Sequence, residues 1–166
     1  MTEWKIPLYR IYTDEEDEKI VNKVIKRGNT WAIGEEIEKF EKILSEFVGV
    51  KHCVAVNSGT SALHAALLGH EIGTGDEVIV PSFSFISTAN SVLFVQGKPV
   101  FADIEEENYG LDSKSISEKI TNNTKAVMPM DYSGQSCRIF DIKKSIEDKK
   151  ILLIEDAAEA IGATVN

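Results

Sequence analysis

Residues 151–160 read ILLIEDAAEA, an apolar run that ends in two neighbouring carboxylates. A short run of this kind is typical of a strand that is buried on both faces, as in a parallel sheet. Ligands bind such sheets at the carboxyl ends of their strands, so we expect Asp156 to lie beside a ligand. Glu155 is its neighbour on the strand and would point to the opposite face, so the two carboxylates are not expected to act as a pair.

Strands and helices alternate upstream of this stretch. The predicted strands are His52–Val56, Glu77–Val80, Pro99–Asp103, Lys125–Pro129 and Ile151–Glu155, and the predicted helices between them are Ser61–Leu68, Phe85–Val95, Ser113–Ile120 and Arg138–Glu147. This alternation predicts an α/β fold, a mostly parallel sheet with helices on both faces, over about residues 51–166.

The first 50 or so residues follow a helical pattern instead. An extended arm is predicted at Ile6–Tyr9, and a capping box at 13–16 predicts a helix that ends at Gly28. A second amphipathic helix is predicted for Glu35–Val48, with Gly49 as its stop. No linker rich in Pro, Gly or Ser divides the chain, so residues 1–166 are expected to form part of one domain.

The composition excludes several functional classes. The chain has 166 residues, of which 43% are hydrophobic and 27% charged, which is typical of a globular protein. Its net charge of −9 argues against nucleic acid or an anionic membrane as partner. Cys53 and Cys137 have no metal-ligand spacing with the histidines, which predicts free thiols and no metal site. With neither a signal peptide nor a transmembrane run, a cytoplasmic protein is expected.

Three tracts at strand ends carry the candidate site. Ser58-Gly59-Thr60 joins a strand to a helix, and its free N–H groups and hydroxyls could hold a phosphate or merely cap the helix. Phe85 could stack on a cofactor ring or belong to the core. Asp156 could keep a pyridinium nitrogen protonated or cap a helix that starts at Ala157. Neither a Walker loop nor a Gly-x-Gly-x-x-Gly fingerprint is present.

Five ordered motifs resemble the DegT/DnrJ/EryC1/StrS family of sugar aminotransferases, which have the aspartate aminotransferase fold. The motifs are Ile6–Tyr9, residues 48–64, Gly75–Phe85, Pro99–Ile104 and Glu155–Ala158. The resemblance implies pyridoxal phosphate as cofactor, Gly59 and Thr60 at its phosphate, Phe85 on its ring and Asp156 at its ring nitrogen. Glu159, at a position often occupied by His or Gln, would lie near the ring hydroxyl.

The resemblance also implies a reaction. The family transfers an amino group, usually from glutamate, to a keto group of a nucleotide-linked deoxy sugar, in the biosynthesis of amino sugars and surface polysaccharides. Its members are typically homodimers with active sites at the subunit interface.

The lysine that forms a Schiff base with the cofactor in this family lies some way beyond Asp156 and is absent from these residues, as is the C-terminal small domain. We therefore expect a truncated large domain that has no catalytic residue of its own, is inactive alone, and forms a homodimer or an assembly with a lysine-bearing chain. The strand His52–Val56 is predicted to pair with Ile151–Glu155 or with another chain.

Two other interpretations remain open. The chain could be a non-catalytic module that binds the cofactor, or that regulates a full-length homologue by pairing with it. It could also be a doubly wound nucleotide-binding enzyme unrelated to pyridoxal phosphate, against which the missing glycine-rich fingerprint argues.

Overall fold

The computed structural model describes residue 6 and residues 10–165. Within them lie six α-helices, four β-strands and one 3₁₀ turn at Tyr132–Gly134. The elements in chain order are α1 (Glu15–Arg27), α2 (Glu35–Val48), α3 (Gly59–Gly69), β1 (Glu77–Pro81), α4 (Ile86–Phe94), β2 (Lys98–Ala102), α5 (Ser113–Lys119), β3 (Thr124–Val127), α6 (Ile139–Ile146) and β4 (Leu152–Leu153).

The four strands form one parallel sheet in the order β2-β1-β3-β4. The central strand β1 is buried along its whole length, as a continuous apolar strand between two layers must be. Its side chains alternate between the layers. Val78 and Val80 pack with α3 and α4, whereas Ile79 packs with α5 and α6. The predicted α/β fold, with a parallel sheet covered on both faces, is confirmed.

The prediction of a strand at His52–Val56 is wrong. Within the described residues this segment is neither helix nor strand, and Val54 is 78% exposed. Its Ala55 N–H donates to the Glu41 carboxylate at 2.8 Å rather than to a strand. The β-branched pattern is present, but β4 pairs only with β3, so the predicted direct pairing with Ile151–Glu155 is also wrong. Pairing with a second chain stays a prediction, because one chain is described.

The two N-terminal helices were predicted closely. The first begins one residue later than predicted, because Asp14 rather than Thr13 is its N-cap and forms a capping box with Asp17. Gly28 and Gly49 end the two helices in the left-handed conformation, at φ values of 74° and 75°. The predicted arm Ile6–Tyr9 lies, apart from Ile6, outside the described residues.

Candidate functional site

One cavity at the carboxyl edge of the sheet is lined by all the predicted site residues. Its volume is about 330 Å³, at the lower end of the range for small-molecule sites, roughly 300–1,000 Å³. A larger hollow of about 490 Å³ between α5 and α6 contains none of these residues and lies on the outer surface. The lining residues of the smaller cavity are Ser58, Gly59, Thr60, Leu63, Phe85, Ser87, Met130, Asp156, Ala158 and Glu159.

The N-terminus of α3 forms one wall of the cavity. Ser58 is its N-cap and accepts a hydrogen bond from the Ser61 N–H at 3.1 Å, so the capping interpretation of this residue is confirmed. The Thr60 hydroxyl lies 2.7 Å from that of Ser87, on α4. The first N–H groups of a helix have no partner within it, so this wall presents hydrogen-bond donors to the cavity.

Gly59 keeps this wall open. A Cβ atom added there would meet no protein atom closer than the Cβ of Ala158, at 4.0 Å, which is ordinary van der Waals contact. Packing within the protein therefore does not demand a glycine at this position. The space that a side chain would occupy belongs to the cavity.

Asp156 follows β4 at the base of the cavity and is 6% exposed. Its backbone extends the pairing with the strand β3, because its N–H donates to Pro129 at 2.8 Å. Its side-chain Oδ2 accepts a hydrogen bond from the hydroxyl of Thr88 at 2.8 Å. The described residues after Asp156 form a turn rather than a helix, so the prediction that it caps a helix starting at Ala157 is wrong.

Phe85 stands at the mouth of the cavity as the N-cap residue of α4. Its side chain is 68% exposed, so the interpretation that it belongs to the core is wrong. The ring is therefore available for stacking.

Glu159 lines the same cavity and is held by the 3₁₀ turn. The Ser133 N–H donates to its Oε2 at 2.7 Å. The next residue, Gly134, has a φ of 80°, and a Cβ atom there would lie 3.2 Å from the Glu159 carbonyl oxygen. Both the left-handed backbone and the close approach favour glycine at this position. The turn thus fixes the direction of the Glu159 carboxylate.

Glu155 points away from Asp156, as predicted for neighbours on a strand. Its carboxylate lies beside the Asp131 carboxylate and the Cys137 thiol. One side-chain oxygen or sulfur atom from each of the three residues lies within 4.8 Å of the other two. Although Glu155 as a residue is exposed, burial of its carboxyl end raises its pKa, and the Asp131 charge raises it further. Burial also raises the pKa of the Cys137 thiol, and both cysteines are free.

Several residues at the site were not predicted from the sequence. Ser87 and Thr88 lie in the first turn of α4, where hydroxyl side chains within a helix gave no signal of their own. Met130 follows β3, a strand end that lies on the same edge of the sheet as the predicted tracts. A search of every strand end for polar or polarisable side chains could have found it.

No helix among the described residues is both long and apolar enough to cross a membrane.

Comparison with known proteins supports the same fold. GDP-perosamine synthase from Caulobacter vibrioides is 45% identical over 137 residues, which cover 81% of this chain and 37% of that protein. The structure of an aminotransferase from Psychrobacter cryohalolentis matches with a TM-score of 0.87 and 32% identity, over 92% of this chain and 39% of the other.

The structure of NtdA from Bacillus subtilis with bound cofactor PMP matches with a TM-score of 0.83 and 35% identity, over 92% of this chain and 35% of the other. The chain thus spans well under half the length of the relatives it matches. The model of the DegT/DnrJ/EryC1/StrS aminotransferase family matches residues 12–166. The chain therefore belongs to the DegT/DnrJ/EryC1/StrS aminotransferase family.

Proposed function

We propose that this chain is the cofactor-binding part of a pyridoxal-phosphate-dependent aminotransferase that acts on a nucleotide-linked keto sugar. The observation that carries the proposal is the buried carboxylate of Asp156 at the base of the 330 Å³ cavity. Of the described residues, no lysine or arginine lines this cavity. A buried carboxylate is costly without a positive partner, and the protonated nitrogen of a pyridine ring is such a partner.

The opposite wall fits the phosphate group of the same cofactor. The N-terminal N–H groups of α3 and the hydroxyl of Thr60 offer donors without a cationic side chain. An 11-residue helix adds the partial positive charge of its N-terminus. The open space beside Gly59 lets an anion approach the backbone closely. Ser58 would contribute mainly through the cap that keeps these groups in place.

Two residues complete the proposed contacts with the ring. Phe85 would cover one face of the ring with its exposed aromatic side chain. Glu159 would lie near the ring hydroxyl, where its carboxylate, fixed by the Ser133 N–H, could accept a hydrogen bond. Each of these groups binds or orients the ring.

When bound, the cofactor supplies a ring that stores electrons while an amino group is exchanged. Asp156 would keep the ring nitrogen protonated for this purpose. Amino transfer in the family also needs a lysine, and the described lining of the cavity includes none. We therefore propose that residues 1–166 bind the cofactor without completing the reaction, and that a homodimer or a lysine-bearing segment completes the site.

The substrate is proposed from the relatives. A protein named GDP-perosamine synthase is 45% identical to this chain over 137 residues. We propose that the complete protein moves the amino group of glutamate to a keto group on a nucleotide-linked deoxy sugar, with 2-oxoglutarate and the amino sugar as products.

Binding of pyridoxamine phosphate to the chain tests the proposal. This form of the cofactor lacks the aldehyde, so it cannot react with surface lysines and reports only the contacts described above. Calorimetric titration is expected to show one site per chain. The Asp156→Asn variant is expected to weaken binding at least about tenfold, because hydrogen bonds to charged groups contribute roughly 1.5–3 kcal/mol.

The matched control is Asp103→Asn, which removes an exposed carboxylate just after β2 on the same edge of the sheet. It is expected to bind like the wild-type chain. The proposal fails if the wild-type chain does not bind, or if both variants lose affinity equally.

A further inference from the structure

Hydrogen bonds connect three side chains in series, from Ser84 in the loop after β1 through Thr88 to Asp156. The hydroxyl of Thr88 lies 2.8 Å from Asp156 Oδ2, and the hydroxyl of Ser84 lies 2.6 Å from that of Thr88. Ser84 also lies 3.0 Å from the sulfur of Met130. Thr88 is 1% exposed and Asp156 is 6% exposed, so water does not compete for these bonds.

Counting protons fixes which hydroxyl donates in each of these hydrogen bonds. A hydroxyl has one proton to donate. When Asp156 is ionised, Thr88 must donate its proton to the carboxylate, and Ser84 must then donate its proton to Thr88. When Asp156 is protonated the direction can reverse, and the proton of Ser84 then points at the Met130 sulfur, a weak acceptor. With Thr88 donating to the Asp156 carboxylate and Ser84 donating to Thr88, both hydroxyl protons have oxygen acceptors.

The two oxygens of Asp156 have unequal surroundings. Oδ2 is held by Thr88, whereas Oδ1 has a long contact of 3.4 Å with the Ala158 N–H. Thr88 is itself anchored at two backbone atoms. Its N–H donates to the Phe85 carbonyl at 3.1 Å, and the Thr88 carbonyl accepts a hydrogen bond from the Ser91 hydroxyl at 3.0 Å. A fixed donor on one oxygen sets the rotation of the whole carboxylate.

We propose that Thr88 is a positioning residue for Asp156 and that Ser84 orients the hydroxyl of Thr88. Thr88 holds Oδ2, so that Oδ1 is presented to a ring N–H in the cavity. The inference rests on the proposed function, because the group that Asp156 meets is the ring nitrogen of the cofactor. Ser84 precedes Phe85 in the same loop. This loop therefore carries the aromatic ring and also orients the Asp156 carboxylate through Thr88.

Three substitutions test this inference. Thr88→Val removes the Thr88 hydroxyl but keeps the shape of the side chain, and Thr88→Ser keeps the hydroxyl. Ser84→Ala removes the hydroxyl that donates to Thr88. The control is Ser145→Ala, which removes a half-buried hydroxyl that bonds a carbonyl within α6, on the other face of the sheet from Thr88. Each variant is titrated with pyridoxamine phosphate, and the pH dependence of the near-ultraviolet absorbance of the bound ligand reports protonation of its ring nitrogen.

Thr88→Val is expected to bind about tenfold more weakly and to lose the proton of the bound ring nitrogen at lower pH. Thr88→Ser is expected to restore both properties, Ser84→Ala to change both by a smaller factor, and Ser145→Ala to change neither. The absorbance readout would not move if Thr88 served only packing.

Ser84→Ala keeps the test decisive if Thr88→Val does not fold. Binding by the wild-type chain together with unchanged affinity and absorbance in Thr88→Val, or in Ser84→Ala where Thr88→Val does not fold, would overturn the inference and leave the proposed function intact. A wild-type chain that does not bind pyridoxamine phosphate would overturn both.

Discussion

Helix α2 at the N-terminus and helix α6 in the α/β core both carry an apolar stripe, but only α6 buries it. Ile142 and Ile146 of α6 are at most 6% exposed, whereas Phe40 and Phe47 of α2 are 54% and 66% exposed. The same period of hydrophobic residues therefore predicts a helix in both places. It does not predict whether a neighbouring layer covers the stripe.

The N-terminal helices depend on different interactions from the core. A capping box begins α1, and ion pairs join the two helices, among them Arg27 with Glu36 at 3.0 Å. A hydrogen bond from Lys23, followed by one from Lys39, lowers the pKa of Glu35 to about 2. Exposed ion pairs contribute little to stability. We therefore expect the two regions to respond very differently to matched substitutions.

The largest difference is expected from truncating an isoleucine in each region. Ile79→Ala, in the fully buried strand β1, should lower the free energy of unfolding by roughly 2–5 kcal/mol because it leaves a cavity between two packed layers. Ile43→Ala, on α2 where the side chain is 65% exposed, should change it by no more than about 0.5 kcal/mol. Urea unfolding followed by circular dichroism measures both. Similar losses would mean that α2 is packed in solution.

A smaller difference is expected from removing a helix cap in each region. Asp112 caps α5 by accepting from the Lys114 and Ser115 N–H groups, so Asp112→Ala should cost about 1 kcal/mol in the unfolding of the core. Asp14→Ala removes the cap of α1 and should lower the helix content without shifting the unfolding midpoint of the core. Far-ultraviolet circular dichroism and urea unfolding separate the two effects. A shift of the midpoint by Asp14→Ala would show that α1 unfolds together with the core.

The smallest effect is expected at Glu155, whose pKa is raised by burial of its carboxyl end and by Asp131. A raised pKa means that the folded state binds more protons, so stability should fall as the pH rises above about 4.5, the ordinary value of the group. Glu155→Gln should therefore stabilise the protein at pH 7, by at most about 1 kcal/mol after solvent screening. The gain should vanish near pH 4.

The control for this prediction is Glu118→Gln, which changes an exposed glutamate on α5. Thermal or urea unfolding at several pH values compares the two variants. A gain from Glu155→Gln that is independent of pH would show that shape rather than charge is responsible.

Most of the fold could be predicted because β1 to β4 are short apolar runs that alternate with helical segments. His52–Val56 has the same local pattern, yet it has no strand neighbour among the described residues. Strand formation depends on pairing across the sheet, which a local pattern does not contain. The one-residue shift from Thr13 to Asp14 has a simpler cause, since both residue types are good N-caps.

The candidate site could be predicted only in its outline. The tracts at strand ends placed Thr60, Phe85 and Asp156 at one edge of the sheet, and the structure brings them around one cavity. Their partners could not be found in this way. The hydroxyls of Ser87 and Thr88 acquire a role only when α4 packs beside α3 and β4, and no pattern within α4 specifies those neighbours.

The hydrogen bond between Thr88 and Asp156 joins residues 68 positions apart. Contacts of such long range close a large loop, and the entropy of that closure delays them during folding. The cavity therefore cannot form until the segment carrying β4 has docked against the rest of the sheet. A ligand that fills the cavity at 100 times its Kd would stabilise the docked state by about 2.7 kcal/mol. Cofactor binding would then secure the final step of folding as well as prepare the site for chemistry.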